Sequence, residues 1–221
     1  MFPTACTPRV YTPAKTRNSV SLSFARNSKP IPCKRNANLL TTCKQVPRSE
    51  RAERKAELLH SIKGLNRGAS ASEEDRNVVD AFAKSCEAVN PHPASLECPL
   101  INGQWRLIYT TSESILGSSR PAPFRPAGPI FQYIDTSKMA ALNRETWPFF
   151  NEVKASLTAT SKSEVAVQFT FFKLLGLLPV KAPPTATGDL NTTYVDEELR
   201  IGRGNKGNLF VLLKEKDGCL L

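Results

Sequence analysis

VAVQFTFF, at residues 165–172, is the stretch that decides the fold. Its large apolar side chains recur at every second position on one face: Val165, Val167, Phe169 and Phe171. A period of two is the period of a β-strand with one buried face. WRLIYT at residues 105–110 repeats this pattern with Trp105, Leu107 and Tyr109. Both stretches therefore predict half-buried strands.

Shorter segments of the same kind continue along the chain, separated by Gly and Pro residues. They occupy residues 130–135, 139–146, 153–157, 190–195, 199–201 and 209–213. Seven or eight short strands with such breaks predict an antiparallel sandwich or barrel. The inward side chains of an eight-stranded barrel either fill it or leave room for one small ligand. The pattern is compatible with both interiors.

Two amphipathic helices are predicted before the strands. The first covers residues 48–65 and has apolar positions at helical spacing: Leu58, Leu59, Ile62 and Leu65. The second begins at Ser72, three residues before Asp75, as in a capping box. Its apolar stripe consists of Val78, Val79, Phe82, Cys86 and Val89. Such stripes usually pack against a core or a partner helix.

The basic charge of the chain is concentrated at its beginning. Residues 1–49 contain nine Lys and Arg and no acid, whereas 21 basic residues face 20 acids after that point. Low acid content with many Ser, Thr and Arg residues is typical of an organelle transit peptide. We expect residues 1–47 to be a disordered chloroplast transit peptide. A mitochondrial peptide, or a basic tail that binds membranes or RNA, is the alternative.

The remaining chain divides into a helical segment, residues 48–92, and a β-domain, residues 93–221. Its near-neutral charge argues against nucleic acid as a partner. Cys86, Cys98 and Cys219 form no paired motif, so we expect free thiols, no metal site and no cofactor. No serine stands in a nucleophile-elbow motif. No apolar run reaches the roughly 18–20 residues of a membrane span.

Five segments resemble one known family. They are AELL and GLNRG at residues 56–59 and 64–68, LINGQWRLIYTTS at 100–112, ETWPFFN at 145–151, and GDLNTTYVDEELRIGRG at 188–204. In this order they resemble the plastid lipid-associated proteins (PAP), also called fibrillins. The likeness extends over nearly all of residues 50–214.

The resemblance implies a mainly β protein, with a lipocalin-like antiparallel β-barrel after two N-terminal helices. It also implies a chloroplast location, at plastoglobules, at thylakoids or in the stroma. Members of this family are regarded as non-enzymatic proteins that bind or carry isoprenoid and other neutral lipids. Two alternatives stay open: an adaptor that docks on a prenyl-lipid biosynthetic enzyme through residues 50–65, and an enzyme that acts on a lipid head group.

Candidate ligand-binding residues come from the aromatic positions and from the charged segment 196–204. They are Trp105, Tyr109, Phe131, Phe169, Phe171, Tyr194, Asp196, Arg200 and Arg203. The aromatic side chains are expected inside the barrel. The charged ones are expected at its mouth, where an Arg fork suits a carboxylate or phosphate head group. Alternatively, these charges pair near a turn and fix the register of a hairpin.

The apolar segment LLGLLPV, residues 174–180, is a candidate membrane-contact surface. Its leucines are Leu174, Leu175, Leu177 and Leu178. If they are exposed, they can enter a lipid surface while Lys173 and Lys181 meet head groups. If they pack at the end of the barrel, they belong to its core. The sequence favours neither arrangement.

Overall fold

The structure is a computed structural model that describes residues 46–121 and 125–215. Residues 1–45 of the predicted transit peptide and Cys219 lie outside these residues. Helix α1 spans Arg48–Ser61, α2 spans Glu73–Glu87 and the one-turn α3 spans Glu113–Leu116. Short 3₁₀ turns cover Asn66–Gly68, Ser95–Glu97 and Pro99–Ile101.

The described chain contains nine strands. They are β1 (Gly103–Thr110), β2 (Ile130–Asp135), β3 (Ala140–Glu145), β4 (Glu152–Ala159), β5 (Glu164–Leu174), β6 (Leu178–Lys181), β7 (Thr187–Val195), β8 (Leu199–Gly204) and β9 (Leu209–Lys214). Eight of them, all but β6, close into an antiparallel barrel, in which β9 pairs with β1 and β4 with β5. The predicted mainly β barrel after two helices is confirmed. The barrel closes with the eight strands up to β9, which ends at Lys214, so its closure requires no further strand.

Strand β6 is the one that the sequence pattern did not predict. It pairs with the second half of β5, whereas β7 pairs with the first half of β5. Because β5 is 11 residues long, it extends past the ring of the barrel and carries β6 as an edge strand. Pro179 is compatible with this position, since an edge strand leaves one side of its backbone unpaired.

The two long helices pack on the outer wall of the barrel. Their buried side chains and those of the wall form one outer core: Leu58, Ile62, Val79, Ala83, Cys86, Tyr109, Tyr194, Leu199, Ile201, Leu209 and Val211. Ser72 caps α2 as predicted, because its hydroxyl accepts a hydrogen bond from the Asp75 N–H at 3.1 Å. Val78 does not join the buried stripe and is 48% exposed. Val79, one position on, faces the barrel instead.

Two β-bulges reverse the facing of aromatic side chains. The register shifts between Leu107 and Tyr109 in β1, and between Thr192 and Tyr194 in β7. An extra residue in a strand moves every later side chain to the other face. Tyr109 and Tyr194 were expected inside the barrel, and the structure places both in the outer core.

A third bulge lies in β5. Phe169 pairs with Ala155 and Phe171 with Lys154, so Thr170 is the extra residue. Phe169 faces the interior as expected. Phe171 does not, and Phe172 takes the inward position instead.

Candidate functional site

The barrel interior is packed along β1 and β9 and hollow along β4 and β5. Trp105, Leu107, Val195 and Leu212 form a buried cluster on the packed side. A cavity of about 540 Å³ remains beside it. Its apolar wall includes Val153, Ala155, Leu157, Val165, Val167, Phe169 and Phe172. This volume lies within the roughly 300–1,000 Å³ that is typical of small-molecule sites, so the barrel has room for a ligand.

One end of the cavity, here called the floor, is covered by the segment between α2 and β1. Leu96 and Ile101 of this segment line the cavity. The Leu96 N–H donates to the Lys162 carbonyl at 3.0 Å, and the Ser95 hydroxyl donates to the Thr192 carbonyl at 3.1 Å. These bonds hold the segment across the end of the barrel.

The opposite end is the mouth. There the lining includes the exposed side chains of Arg120 and Lys206, which lie in loops. Glu145 and Asn151 also belong to this rim, and the Asn151 amide donates to the Glu145 carboxylate at 2.6 Å. A molecule that enters the cavity here therefore passes a polar rim.

An exposed apolar lip stands beside the mouth. It consists of Leu174, Leu175, Leu177, Leu178 and Val180, whose exposed fractions run from 43% to 80%. Leu174 and Phe172 line the cavity, and their cross-strand partners are Leu178 and Val180. Directly opposed residues of an antiparallel pair share one face of the sheet. The apolar surface of the lip therefore continues into the cavity.

Two aromatic side chains that sequence reasoning missed lie close to the lip. Trp147 is 62% exposed and Phe150 is 51% exposed, and their rings meet edge to face at 6.4 Å. The Leu175 N–H donates to the Asn151 side chain at 3.0 Å, which joins this loop to the lip. The sequence ETWPFFN already indicated an exposed aromatic site, because it places aromatic residues in a loop between two strands.

Arg200 lies at the floor and is 1% exposed. Its Nη2 donates to the side-chain oxygen of Gln132, whereas its Nε and Nη1 have no hydrogen-bond partner. Its guanidinium carbon lies 5.2 Å from the centroid of the Trp105 ring. Burial lowers the pKa of Arg200 to about 9. Among the described residues, no carboxylate forms an ion pair with it.

Lys214 adds a second cation behind the floor. Its Nζ lies 4.4 Å from the centroid of the Trp105 ring and donates to the carbonyl of Leu100 at 2.9 Å. A further hydrogen bond goes to the carbonyl of Asn102. Burial, together with the charge of Arg200, lowers the pKa of Lys214 to about 8. The ammonium group is thus satisfied by backbone, unlike the guanidinium.

Asp196 lies outside the barrel and not at its mouth. Its carboxylate accepts hydrogen bonds from Lys55 of α1 at 2.8 Å and from the Tyr194 hydroxyl at 2.7 Å. The backbone N–H groups of Glu198 and Leu199 also donate to it. Burial works to raise the pKa of Asp196, but these donors hold it below its usual value. The residue fixes helix α1 and the β7–β8 turn.

Arg203 also lies on the outer wall. It forms ion pairs with Asp80 at 2.7 Å and Glu87 at 2.8 Å, both in α2. Asp196, Arg200 and Arg203 therefore do not form the cluster at the mouth that the sequence predicted. Arg200 and Arg203 are three positions apart in one strand, so they point to opposite faces. Only Arg200 reaches the cavity.

The predicted aromatic contacts divide in the same way. Phe169 lines the cavity, and Trp105 packs at its floor beneath Arg200. Phe131 is among the residues around the cavity, but it pairs with Arg106 and Arg144, so its side chain lies on their outer face of the sheet. Tyr109, Tyr194 and Phe171 do not line it. Gln132, which sequence reasoning missed, lines the cavity and orients Arg200.

Within the described residues, no group of three or more His, Cys, Asp and Glu side chains could hold a metal ion. Cys86 and Cys98 are free thiols, and burial raises the pKa of Cys86 to about 11. Across residues 46–121 and 125–215, no helix has the length and apolar content to cross a membrane.

Comparison with known proteins identifies the family of this barrel. A family model described as PAP_fibrillin matches residues 52–213. The chain belongs to the plastid lipid-associated protein (fibrillin) family. It is a lipid-associated protein of the chloroplast, as the sequence predicted. No solved structure matches this fibrillin.

Named relatives support this assignment. This fibrillin is 47% identical to the probable plastid-lipid-associated protein 5, chloroplastic, of Arabidopsis thaliana, over 76% of its own length and 71% of the relative. It is 29% identical to plastoglobulin-1, chloroplastic, of Pisum sativum, over 75% and 62%. It is 29% identical to the chromoplast-specific carotenoid-associated protein C1 of an Oncidium hybrid cultivar, over 73% and 68%. These names describe lipid-associated proteins of plastids and not enzymes.

Proposed function

We propose that this fibrillin is a non-enzymatic lipid carrier. Its cavity holds the apolar chain of an isoprenoid or other neutral lipid, and its lip contacts the surface of a plastoglobule or thylakoid. The observation that carries this proposal is the apolar surface that continues from the exposed lip into the cavity. The names plastoglobulin and carotenoid-associated protein support the same class of ligand. The ligand contacts in this proposal are Phe169 and Arg200, and Trp105 supports Arg200 from beneath.

The cavity wall supplies the free energy of binding. Burial of apolar area is worth roughly 25 cal/mol per Å², so ~200 Å² of lipid chain contributes about 5 kcal/mol before the costs of association. Inward side chains such as Val153, Val167 and Phe169 are only half-buried in the empty barrel. They gain packing partners when a chain enters, which adds dispersion contacts.

The lip provides the route from a lipid surface to the cavity. Exposed apolar patches of this kind mark contacts with membranes or partner molecules. Lys173 and Lys181 flank the lip and suit anionic or zwitterionic head groups. Once Leu177 and Leu178 lie among acyl chains, a lipid passes along Leu174 into the cavity without crossing open water.

A cavity-filling variant tests the carrier function. The full-length chain is incubated with a plastid lipid extract, and the lipids that co-purify are identified by mass spectrometry. Ala155→Phe fills the cavity from β4, whereas Ser156→Phe places the same side chain on the outer wall. We expect the wild type and Ser156→Phe to retain the same lipids and Ala155→Phe to lose them. Equal retention by Ala155→Phe, or no retention by the wild type, contradicts the proposal.

The adaptor function, in which residues 50–65 dock on a prenyl-lipid biosynthetic enzyme, stays a prediction. Leu58 and Ile62 of α1 are buried against the barrel. A partner would therefore meet the charged face of the helix and not its apolar stripe. No contact of the described residues favours this function over the carrier.

A further inference from the structure

We infer that the cavity selects lipids with a terminal carboxylate, which binds Arg200 at the floor while the apolar tail extends toward the mouth. This inference rests on the carrier function proposed above and adds to it a head-group class and an orientation. It is carried by Arg200, a buried residue of the cavity lining whose guanidinium has two nitrogens without a hydrogen-bond partner.

Two nitrogens of the Arg200 guanidinium lack a hydrogen-bond partner. A buried donor without a partner is costly, and a buried charge without a partner is more so. Gln132 satisfies Nη2, but Nε and Nη1 are left open. The Trp105 ring offsets part of this cost by a cation–π contact, which supplies no acceptor atom. The site therefore lacks both an acceptor and a negative charge.

Charge is distributed unevenly along the cavity. The other charged side chains that line it, Glu145, Asp189, Arg120 and Lys206, belong to strand ends and loops at the mouth. Their formal charges cancel there. Among the described residues that line the floor, Arg200 is the one with a charged side chain, and it has no counter-ion. A negative group is therefore stabilised at the floor and not at the rim.

The charge of the site identifies the group. A carboxylate brings one negative charge, which matches one guanidinium, and acceptor oxygens for its open N–H groups. A phosphate or diphosphate carries more charge than Arg200 alone neutralises. Lys214, which also lies against the Trp105 ring, already donates to two backbone carbonyls and does not line the cavity. Neutral esters and alcohols leave the charge of Arg200 uncompensated.

The position of Arg200 sets the orientation. The floor segment closes the barrel behind it, because the Trp105 indole N–H donates to the Ile101 carbonyl at 2.8 Å and Ile101 lines the cavity. The apolar wall of β4 and β5 and the lip lie toward the other end. An amphiphile with its carboxylate at Arg200 thus places its whole tail along apolar surface.

Fluorescent ligands test this inference on the full-length chain. cis-Parinaric acid, a polyene fatty acid whose emission rises in apolar surroundings, is titrated beside its methyl ester. We expect the wild type to bind the acid about 10- to 100-fold more tightly than the ester, as for a hydrogen bond to a charged group. All-trans-retinoic acid and its methyl ester form a second pair, which distinguishes an isoprenoid acid from a straight-chain one.

Variants assign the selectivity to one residue. Arg200→Met should lose the preference for either acid and keep its affinity for the esters. Arg106→Met is the matched control, because Arg106 lies on the outer wall in a partly exposed pair with Glu215. The comparison of acid and ester on the wild type needs no variant, so a failure of Arg200→Met to fold does not remove the test.

The outcomes separate this inference from the function on which it rests. Equal affinity of the wild type for acid and ester overturns the carboxylate inference and leaves the carrier function intact. A preference for the acid that persists in Arg200→Met overturns the role of Arg200. Absence of binding for all four ligands overturns both proposals.

Discussion

The guanidinium carbon of Arg200 lies 5.2 Å from the centroid of the Trp105 ring, and both side chains are buried inside the barrel. This contact stabilises a charge that has no counter-ion among the described residues. Placing Arg there is unfavourable for folding, since a leucine or methionine of similar length would avoid the desolvation cost. Residues that lower stability in this way are typical of functional sites.

The first prediction concerns stability. Arg200→Met should raise the free energy of unfolding of the lipid-free protein by about 1–3 kcal/mol, because an unpaired buried charge is replaced by an apolar side chain. Urea denaturation of delipidated protein measures the change. Arg106→Met should shift it by less than about 0.5 kcal/mol, as for an exposed pair. A clear loss of stability in Arg200→Met would show that the guanidinium is satisfied in the empty protein.

The second prediction concerns pH. The pKa of Lys214 is lowered to about 8 and that of Arg200 to about 9, from usual values of 10.5 and 12.5. Above pH 8 the unfolded chain therefore holds more protons at these groups than the folded one, so their contribution to stability rises with pH. Cys86, with its pKa raised to about 11 from 9.0, opposes this above pH 9.

Both the wild type and Arg200→Met contain Cys86, so its contribution to the pH dependence of stability cancels when the two are compared. Between pH 8 and 10, the free energy of unfolding of the wild type should increase relative to that of the variant. Urea titrations at several pH values measure this difference. A constant difference across the range would be inconsistent with a lowered pKa at the floor.

The third prediction concerns Asp196. Its side chain is 6% exposed and is bonded to Lys55, whose side chain is 16% exposed. Asp196→Asn should destabilise the protein by about 2–4 kcal/mol at neutral pH, because it leaves Lys55 with a weaker partner in a largely buried site. Glu198→Gln is the control, since Glu198 is 76% exposed although it contacts the same lysine. Equal effects of the two substitutions would assign no special role to Asp196.

The loss of stability at acidic pH is a second test of the Asp196 site. The pKa of Asp196 lies below 3.8 in the folded protein. Its contribution is therefore complete above its unfolded pKa and is lost as the pH falls through the folded value. The wild type should lose stability more steeply than Asp196→Asn below pH 4. Parallel slopes in that range would contradict the lowered pKa.

The fourth prediction concerns the lip. The double substitution Leu177→Asp and Leu178→Asp should abolish or strongly reduce flotation of the protein with phosphatidylcholine vesicles and with triacylglycerol droplets. Burial of each leucine among acyl chains is worth roughly 1.5–3 kcal/mol, whereas burial of a carboxylate in its place costs free energy. Val78→Asp is the control, because Val78 is an exposed apolar residue of α2 outside the lip. Unchanged flotation of the double variant would exclude the lip as the contact surface.

The order and type of the main elements follow from local pattern. Strands β2 and β9, for example, begin where the apolar segments begin, because alternation with a buried face determines where a strand can lie. Strand β6 was missed, since all four of its side chains are exposed and none alternates with a buried one. The three bulges were also missed, because the sequence of a bulge carries little local signal.

These bulges account for most of the errors at the site. A strict period of two puts Tyr109 and Phe171 with Trp105 and Phe169, but one inserted residue turns each to the other face. The charged cluster is different, because alternation already separates Arg200 from Arg203. That the interior is hollow depends on the volumes of side chains from several strands. Local pattern does not contain this information.

Photo-crosslinking tests the central claim most directly, namely that a lipid chain occupies the barrel. The full-length protein is irradiated with an alkyl chain that carries a diazirine at its middle, once as the acid and once as the methyl ester. Mass spectrometry of peptides then locates the label. We predict label on inward residues of β4 and β5 such as Val153, Leu157 and Val167. Label confined to the outer wall, at Lys154, Ser156 or Ala166, or to the lip alone, would contradict it.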